Sequence, residues 1–291
     1  MIYRITHRTT YRYRQPVSVG NHVACLKPRG SAKQKLIKAE LDIRPLPATT
    51  AERTDFFGNR QYFFTVQEPH RELVVESHCE VKLATEAAVQ RQDMAWEEVA
   101  ECLPVDLTEA GLDAYQFVFE SPRVHLRPEF AAYGLESFTP GRPMQEALLD
   151  LTARIHRDFR FDAKVTNVRT PPEEVFRKRR GVCQDFAHLQ IACLRSLNLA
   201  ARYVSGYLRT FQPPGRPRLV GADASHAWVS VYSPGSGWLD VDPTNNVVPS
   251  DGHVTVAWGR DYGDVSPLRG LVLGGGDHIL RVAVDMEMVE A

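Results

Sequence analysis

The segment Arg180-Gly-Val-Cys-Gln-Asp-Phe-Ala-His-Leu-Gln-Ile-Ala-Cys-Leu-Arg195 determines how the rest of the chain is interpreted. Its apolar residues recur at helical spacing and continue into the next turn, giving the stripe Val182, Phe186, Leu189, Cys193 and Leu197. This periodicity predicts a helix that is largely buried along that side. Gly181 lies just before the helix and lets the backbone turn tightly there.

Cys183 lies in the first turn of this predicted helix. Free backbone N–H groups and the positive end of the helix dipole favour a thiolate at that place, as a nucleophilic cysteine requires. A lone cysteine is more often a small buried apolar residue, which is how we interpret Cys193. The assignment of Cys183 as a nucleophile therefore depends on finding its partners.

A cysteine nucleophile needs a base and a third group that orients the base. The segment 225–232 alternates in polarity and places His226 on one face of a predicted strand. A turn at 233–237 leads to a second alternating segment, 237–242, so the two predict an antiparallel hairpin. His226 is the candidate base, and the orienting group is sought on the second strand.

The register of this hairpin chooses between Asp240 and Asp242. If Tyr232 pairs with Ser236, a three-residue loop closes the turn and Asp242 lies directly opposite His226. A register two residues longer makes Asp242 the diagonal neighbour of His226, still within reach. Asp240 opposite His226 would require Tyr232 to pair with Pro234, which no loop can close. Asp242 is therefore the predicted orienting residue.

Together these residues resemble the transglutaminase-like superfamily, in its bacterial branch with an extra N-terminal domain. The resemblance covers about residues 150–270 and rests on four segments: Gly181-Val-Cys-Gln-Asp-Phe-Ala-His188, Ala201-Arg-Tyr-Val-Ser-Gly-Tyr207, Ser225-His-Ala-Trp228 and Asp242-Pro-Thr-Asn245. It implies that the family's cysteine, histidine and aspartate are Cys183, His226 and Asp242. It also implies a papain-like helical lobe packed on an antiparallel sheet, and acyl chemistry on amides by hydrolysis or by transfer to an amine.

The chain of 291 residues is long enough for two domains, and the expected fold class is α+β. Residues 1–90 have β-patterned segments and predict an N-terminal β-sandwich-like domain. Residues 91–291 are expected to form the transglutaminase-like catalytic domain, with an amphipathic strand at the end of the chain. We interpret the proline-rich segment 212–217 as a candidate lid or rim of the site.

The composition excludes several classes of function. The formal net charge of −1 does not suit a nucleic-acid binder, and no apolar segment approaches the length of a membrane span. The five cysteines are odd in number and scattered, so we expect no disulfide framework and a reducing, cytoplasmic location. No cofactor is expected.

No metal is expected either, because Cys183, His188 and Cys193 are spaced by five and do not share a helix face. The acidic residues are not clustered in a loop-like calcium spacing. His188 is five positions from Cys183 on the same helix, so the two side chains lie on different faces and His188 is not expected to be the base. A structural hydrogen bond is expected for His188 instead. Asp185 is expected to hold a loop or a basic residue beside the site.

Two functions stay open at this point. The first is a protease, amidase or transamidase that acts on a peptide, protein or other amide through the triad Cys183, His226 and Asp242. The second is a non-catalytic binding or scaffolding module that keeps the fold. The sequence does not distinguish water from an amine as acceptor. It also identifies neither the second oxyanion donor nor the oligomeric state.

Overall fold

The computed structural model describes residues 1–84, 94–210 and 224–290. Thirteen strands and seven helices are assigned in this part of the chain, with two short 3₁₀ turns at Leu103–Val105 and Gln116–Val118. The first five strands are β1 (Ile2–Lys27), β2 (Gln34–Arg44), β3 (Thr49–Thr54), β4 (Arg60–Val66) and β5 (His70–Leu83). The middle of the chain contains α1 (Trp96–Cys102), α2 (Glu109–Tyr115), α3 (Pro128–Leu135), α4 (Met144–Asp158), β6 (Arg160–Phe161), α5 (Pro172–Lys178), β7 (Arg180–Gly181) and α6 (Cys183–Arg195). The remainder contains β8 (Ala201–Leu208), β9 (Ala224–Ser233), β10 (Gly237–Val241), β11 (His253–Gly259), α7 (Tyr262–Val265), β12 (Leu268–Gly274) and β13 (His278–Glu290).

The N-terminal strands form one curled antiparallel sheet organised around the long strand β1. The order is β2-β5-β1-β4-β3, and β12 and β13 also pair with β1. The first half of β1 lies between β5 and β13, and its second half lies between β4 and β12. Apolar residues from both halves meet in a core of their own, which includes Val17, Ile43, Phe64 and Leu73. The curl of the sheet therefore encloses this core from two sides.

The end of the chain returns to the sheet in which the chain begins. β13 pairs with β1 from Ile2 to Tyr13, so the amphipathic strand predicted at the chain end completes the N-terminal sheet. From the sequence alone, this strand is expected to belong with residues 91–291. The domain boundary expected near residue 90, and the candidate lid at 212–217, lie outside the described residues.

The second half of the chain packs helices on a four-stranded antiparallel sheet of order β10-β9-β8-β11. Helix α6 contacts β8 and β9 on one side and α3, α4 and α5 on the other. More of the surface of α6 is buried than the predicted apolar stripe, because α6 lies between the sheet and the other helices. Every residue from Gln184 to Arg195 is buried, and the polar ones find partners such as Thr152 for the Gln190 amide.

One large apolar cluster joins the two parts of the molecule. It contains Tyr3, Val81 and Met286 from the N-terminal sheet together with Phe186 and Leu189 from α6. Full burial of a large apolar side chain contributes about 1.5–3 kcal/mol, so this shared core holds the N-terminal sheet against the helical lobe. The predicted α+β class, with a helical lobe on an antiparallel sheet, is confirmed. None of the described helices is both long enough and apolar enough to cross a lipid bilayer.

Candidate active site

Cys183 is the first residue of α6 and is partly exposed. The turn that precedes it is fixed by Asp185, whose Oδ2 accepts hydrogen bonds from the Val182 backbone N–H at 2.8 Å and from the Thr166 hydroxyl at 2.6 Å. A Cβ on Gly181 would lie 2.8 Å from the Asp185 Cβ, so only glycine allows this close approach. Asp185 therefore holds a loop beside the site, as predicted, and sets where the cysteine stands.

His226 lies on β9, and its Nε2 is 2.7 Å from Oδ2 of Asp242. Ser233 pairs with Gly237 and Tyr232 pairs with Trp238, which is the longer of the two registers considered for this hairpin. Asp242 follows β10 and is consequently the diagonal neighbour of His226, close enough for a direct hydrogen bond. Asp240 instead pairs with Ser230 and does not line the cleft that holds Cys183 and His226.

Asp242 is fully buried and surrounded by donors. Its Oδ1 accepts hydrogen bonds from the backbone N–H groups of Thr244 at 2.9 Å and Asn245 at 3.2 Å. Its Oδ2 accepts from the Asn245 amide at 2.7 Å and also lies 3.3 Å from Nε2 of His253. Burial alone would raise the pKa of this carboxyl, but the hydrogen bonds to His226, His253 and Asn245 outweigh it and hold the pKa below its usual range. Asp242 is therefore a carboxylate at neutral pH.

The imidazole of His226 is tuned by this carboxylate and by the cysteine. Burial lowers its pKa, yet hydrogen bonds to Asp242 and Cys183, together with their negative charges, raise it to about 9. Because Nε2 is engaged with Asp242, Nδ1 is the ring nitrogen left for the thiol. An imidazole placed between Cys183 and Asp242 can accept the thiol proton and hold it, as nucleophilic catalysis by a cysteine requires.

Cys183 and His226 open into the same cleft, which has a volume of about 260 Å³. Tyr203 and Tyr262 also line this cleft. The opposite wall comes from the N-terminal sheet, through the residues His7, Thr9, Tyr11, Leu280 and Val282. The N-terminal sheet thus forms one wall of the cleft that holds Cys183 and His226.

His188 has the structural role that its spacing predicted. It is fully buried, and its Nε2 accepts a hydrogen bond from the Tyr262 backbone N–H at 3.1 Å. Burial, with the nearby charges of Arg123 and Arg195, lowers the pKa of His188 to about 3. The ring is therefore neutral, and it anchors the wall of the cleft that carries Tyr262.

Among the described residues, one group has the composition of a metal site: His226, Asp242 and His253, whose ligand atoms lie within 4.8 Å of one another. Ligands about 2.0–2.1 Å from a tetrahedral zinc ion are about 3.3 Å apart. The distance of 2.7 Å between His226 and Asp242 is shorter and is that of a charge-assisted hydrogen bond. The arrangement suits a hydrogen-bonded network and does not suit a bridging metal.

Three residues of the site were not assigned a role from the sequence. Tyr203 lies in the cleft near Cys183, Asn245 holds Asp242, and His253 shares Oδ2 of Asp242 with His226. The alternation of buried Val254 and Val256 with polar neighbours was a usable signal for β11, the strand that begins at His253. The position of Asn245 after an Asp-Pro pair was a usable signal for an Asx turn.

The fold and these residues define a papain-like class of protein, in which a cysteine at a helix N-terminus faces a histidine and an aspartate on an antiparallel sheet. The transglutaminase-like superfamily model matches residues 135–243, and the bacterial transglutaminase-like N-terminal region matches residues 3–82. The chain belongs to the transglutaminase-like superfamily, which confirms the resemblance seen in the sequence.

Two relatives differ in how much of the chain they share. An uncharacterized protein of Mycobacterium tuberculosis is 39% identical over 290 residues, which cover 98% of this chain and 92% of the relative. A protein-glutamine gamma-glutamyltransferase of Pseudomonas aeruginosa is 35% identical over 97 residues, which are 32% of this chain and only 14% of that protein.

The fold is also that of a crystal structure of a Cytophaga hutchinsonii protein provisionally assigned as a cysteine protease. The TM-score is 0.78 at 23% identity, and the match covers 100% of this chain and 91% of the other. At this level of identity the likeness concerns the fold alone.

Proposed function

We propose that this protein is an enzyme that cleaves or transfers amide bonds through a cysteine nucleophile, with Cys183 as nucleophile, His226 as base and acid, and Asp242 as orienting group. The observation that carries the proposal is the contact of 2.7 Å between His226 and the buried carboxylate of Asp242, with Cys183 as the other partner of the same ring. Such a chain of nucleophile, base and orienting group is the general arrangement for covalent acyl transfer.

The first half of the reaction forms a thioester. The Cys183 thiolate attacks the amide carbonyl carbon, a C–S bond forms, and the carbonyl electron pair moves to the oxygen. The Cys183 backbone N–H makes no hydrogen bond with the described residues and is available to stabilise this oxyanion at the helix N-terminus. His226 then gives its proton to the nitrogen, the C–N bond breaks and the amine leaves.

The second half releases the acyl group. Neutral His226 takes a proton from water or from a primary amine, which attacks the thioester carbonyl as the C–S bond breaks. Water gives a carboxylic acid, and the protein is then a protease or amidase. An amine gives a new amide, and the protein is then a transamidase, the activity that the name of the Pseudomonas aeruginosa relative describes for that protein.

The substrate proposed is a peptide, protein or other amide, and neither nucleic acid nor membrane is proposed as a partner. The cleft wall contributed by Leu280, Val282 and Tyr11 favours an apolar side chain near the scissile bond. A cytoplasmic location is proposed on the ground that all five cysteines are free thiols.

A peptide screen tests this proposal against the binding-module alternative. Wild-type protein is incubated with mixed peptides, with and without a primary amine, and intact-protein mass spectrometry follows an acyl adduct. The proposal predicts product formation and a transient adduct that maps to Cys183, both absent in Cys183→Ala and kept in Cys193→Ala, the matched buried cysteine. Peptide binding without an adduct or product in the wild type would favour the binding module.

A further inference from the structure

A second cavity of about 520 Å³ lies apart from the Cys183 cleft and shares no lining residue with it. We call it the tryptophan cavity, because Trp228, Trp238 and Trp258 line it. It is open to solvent at a rim that includes Lys33 and Asp251. Its apolar walls and its size suit a small organic molecule.

The tryptophan cavity contains a buried cation. Arg202 is only 6% exposed, and its guanidinium is stacked 3.8 Å from the ring centres of both Trp238 and Trp258. The Nε atom is buried without a hydrogen-bond partner among the described residues. Burial lowers the pKa of Arg202 to about 9, even though the charge of Asp240 acts in the opposite direction. Within the described chain Arg202 forms no ion pair, and Asp240 lies 3.9 Å from Lys33 instead.

A second unsatisfied donor belongs to a residue that lines the same cavity. Nε1 of Trp228 is buried and lacks a partner in the described residues, as does Nδ1 of His253 at the edge of the cavity. A buried donor without a partner costs about 1–3 kcal/mol, so two donors of this kind in one cavity point to an acceptor that binds there. The edge of a guanidinium stacked between aromatic rings can hold a carboxylate, and the rings offer an apolar surface to the body of the same ligand.

We propose that the tryptophan cavity binds a small carboxylate with an apolar body, whose carboxylate accepts hydrogen bonds from Arg202 and Trp228 and whose body packs against the tryptophan rings. The proposal concerns a site separate from the proposed catalytic one. His253 lies between them, since its Nε2 contacts Asp242 while its ring borders the cavity.

Titration with model carboxylates tests this site directly. Benzoate and 4-phenylbutyrate are the probes, with benzamide as the uncharged analogue and inorganic phosphate as the tetrahedral anion. Binding is followed by tryptophan fluorescence and by calorimetry in Cys183→Ala, so that neither catalysis nor the reactive thiol contributes. We expect saturable binding of both carboxylates. Benzamide should bind at least about tenfold more weakly because it lacks the charge, and phosphate should bind at least about tenfold more weakly because it has no apolar body to pack against the tryptophan rings.

Two variants locate the binding. Arg202→Met is expected to weaken carboxylate binding by at least about tenfold, while the same substitution at the exposed Arg53 leaves it unchanged. If Arg202→Met does not fold by circular dichroism, Trp228→Phe removes the second donor and is expected to weaken binding about fivefold. Absence of saturable binding, equal binding of benzamide or phosphate, or binding insensitive to the folded cavity variants would overturn the proposal. These results do not depend on whether Cys183 is catalytic, so the two proposals fail separately.

Discussion

Asp242 and His226 are diagonal neighbours across the β9–β10 hairpin, and yet their side chains form a hydrogen bond of 2.7 Å. The contact is possible because Asp242 stands just beyond the end of β10, where the chain leaves the ladder and turns at Pro243. The backbone N–H groups of Thr244 and Asn245 then hold the other carboxylate oxygen. The position of the aspartate is therefore fixed by the turn as much as by the strand.

Asp242→Asn is expected to lower the pKa of His226 from about 9, because the substitution removes the negative charge and the charged hydrogen-bond acceptor. Turnover is expected to fall by about 10⁴-fold, as when the orienting carboxylate of a serine protease triad is neutralised. NMR titration of the imidazole and steady-state rates measure the two effects. Asp240→Asn on the same hairpin is the control, and an equal shift in that variant would contradict the assignment.

The raised pKa of His226 also predicts a pH dependence of stability. Protonated His226 is stabilised in the folded state, so its contribution is fully present below pH 6.5 and is lost as the pH rises through about 9. Urea unfolding midpoints of the wild type are therefore expected to fall over this interval. In His226→Gln the part of this decline that is due to His226 should be missing. An identical decline of the unfolding midpoint in that variant would show that other groups cause the decline.

Gly181→Ala is expected to disturb the start of α6. The added Cβ would lie 2.8 Å from both Cβ and Oδ2 of Asp185, which must move and release the Val182 backbone N–H. Loss of a buried hydrogen bond to a charged group costs about 1.5–3 kcal/mol, and the rate of Cys183 alkylation should fall together with stability. Gly30→Ala is the matched control, since a Cβ there meets no atom within 4 Å. Equal stability and reactivity of the two variants would refute this role of Gly181.

Tyr203→Phe tests a second oxyanion donor. Tyr203 lines the cleft beside Cys183, and its hydroxyl makes no hydrogen bond with the described residues. Removal of an oxyanion donor costs about 10²–10³-fold in kcat, and KM should change little. Tyr207→Phe instead removes the hydrogen bond to His7, at 3.0 Å, and should lower the unfolding midpoint with little change in kcat. A fall in stability with unchanged kcat in Tyr203→Phe would assign Tyr203 a packing role only.

The sequence predicts the parts of this molecule that local chemistry dictates. The helix at Cys183, the hairpin that carries His226 and the two possible positions of Asp242 follow from periodicity and from the length of the turn. The burial of α6 on all sides does not follow from periodicity, because it depends on which helices and strands pack around the helix. For the same reason the sequence does not show that β13 returns to pair with β1 and forms one wall of the cleft.

The hydrogen-bond partners of Asp242 also show that contacts between distant segments cannot be predicted from the sequence. Asn245 is near in the chain and could be found from turn chemistry, whereas His253 reaches Asp242 only because β11 pairs with β8 in the same sheet. Arg202 is similar: its place between Trp238 and Trp258 joins residues from three strands. Sites of this kind require the tertiary structure.

The pairing of Cys183 with His226 is tested by the pH dependence of Cys183 alkylation by iodoacetamide, compared between the wild type and His226→Ala. The thiolate–imidazolium pair predicts rapid alkylation of the wild type that persists well below the pKa of a free thiol, which is about 8.5, and that is lost in His226→Ala. Mapping by peptide mass spectrometry separates Cys183 from the other four cysteines. Slow alkylation with the profile of an ordinary thiol, unchanged by the substitution, would contradict the account.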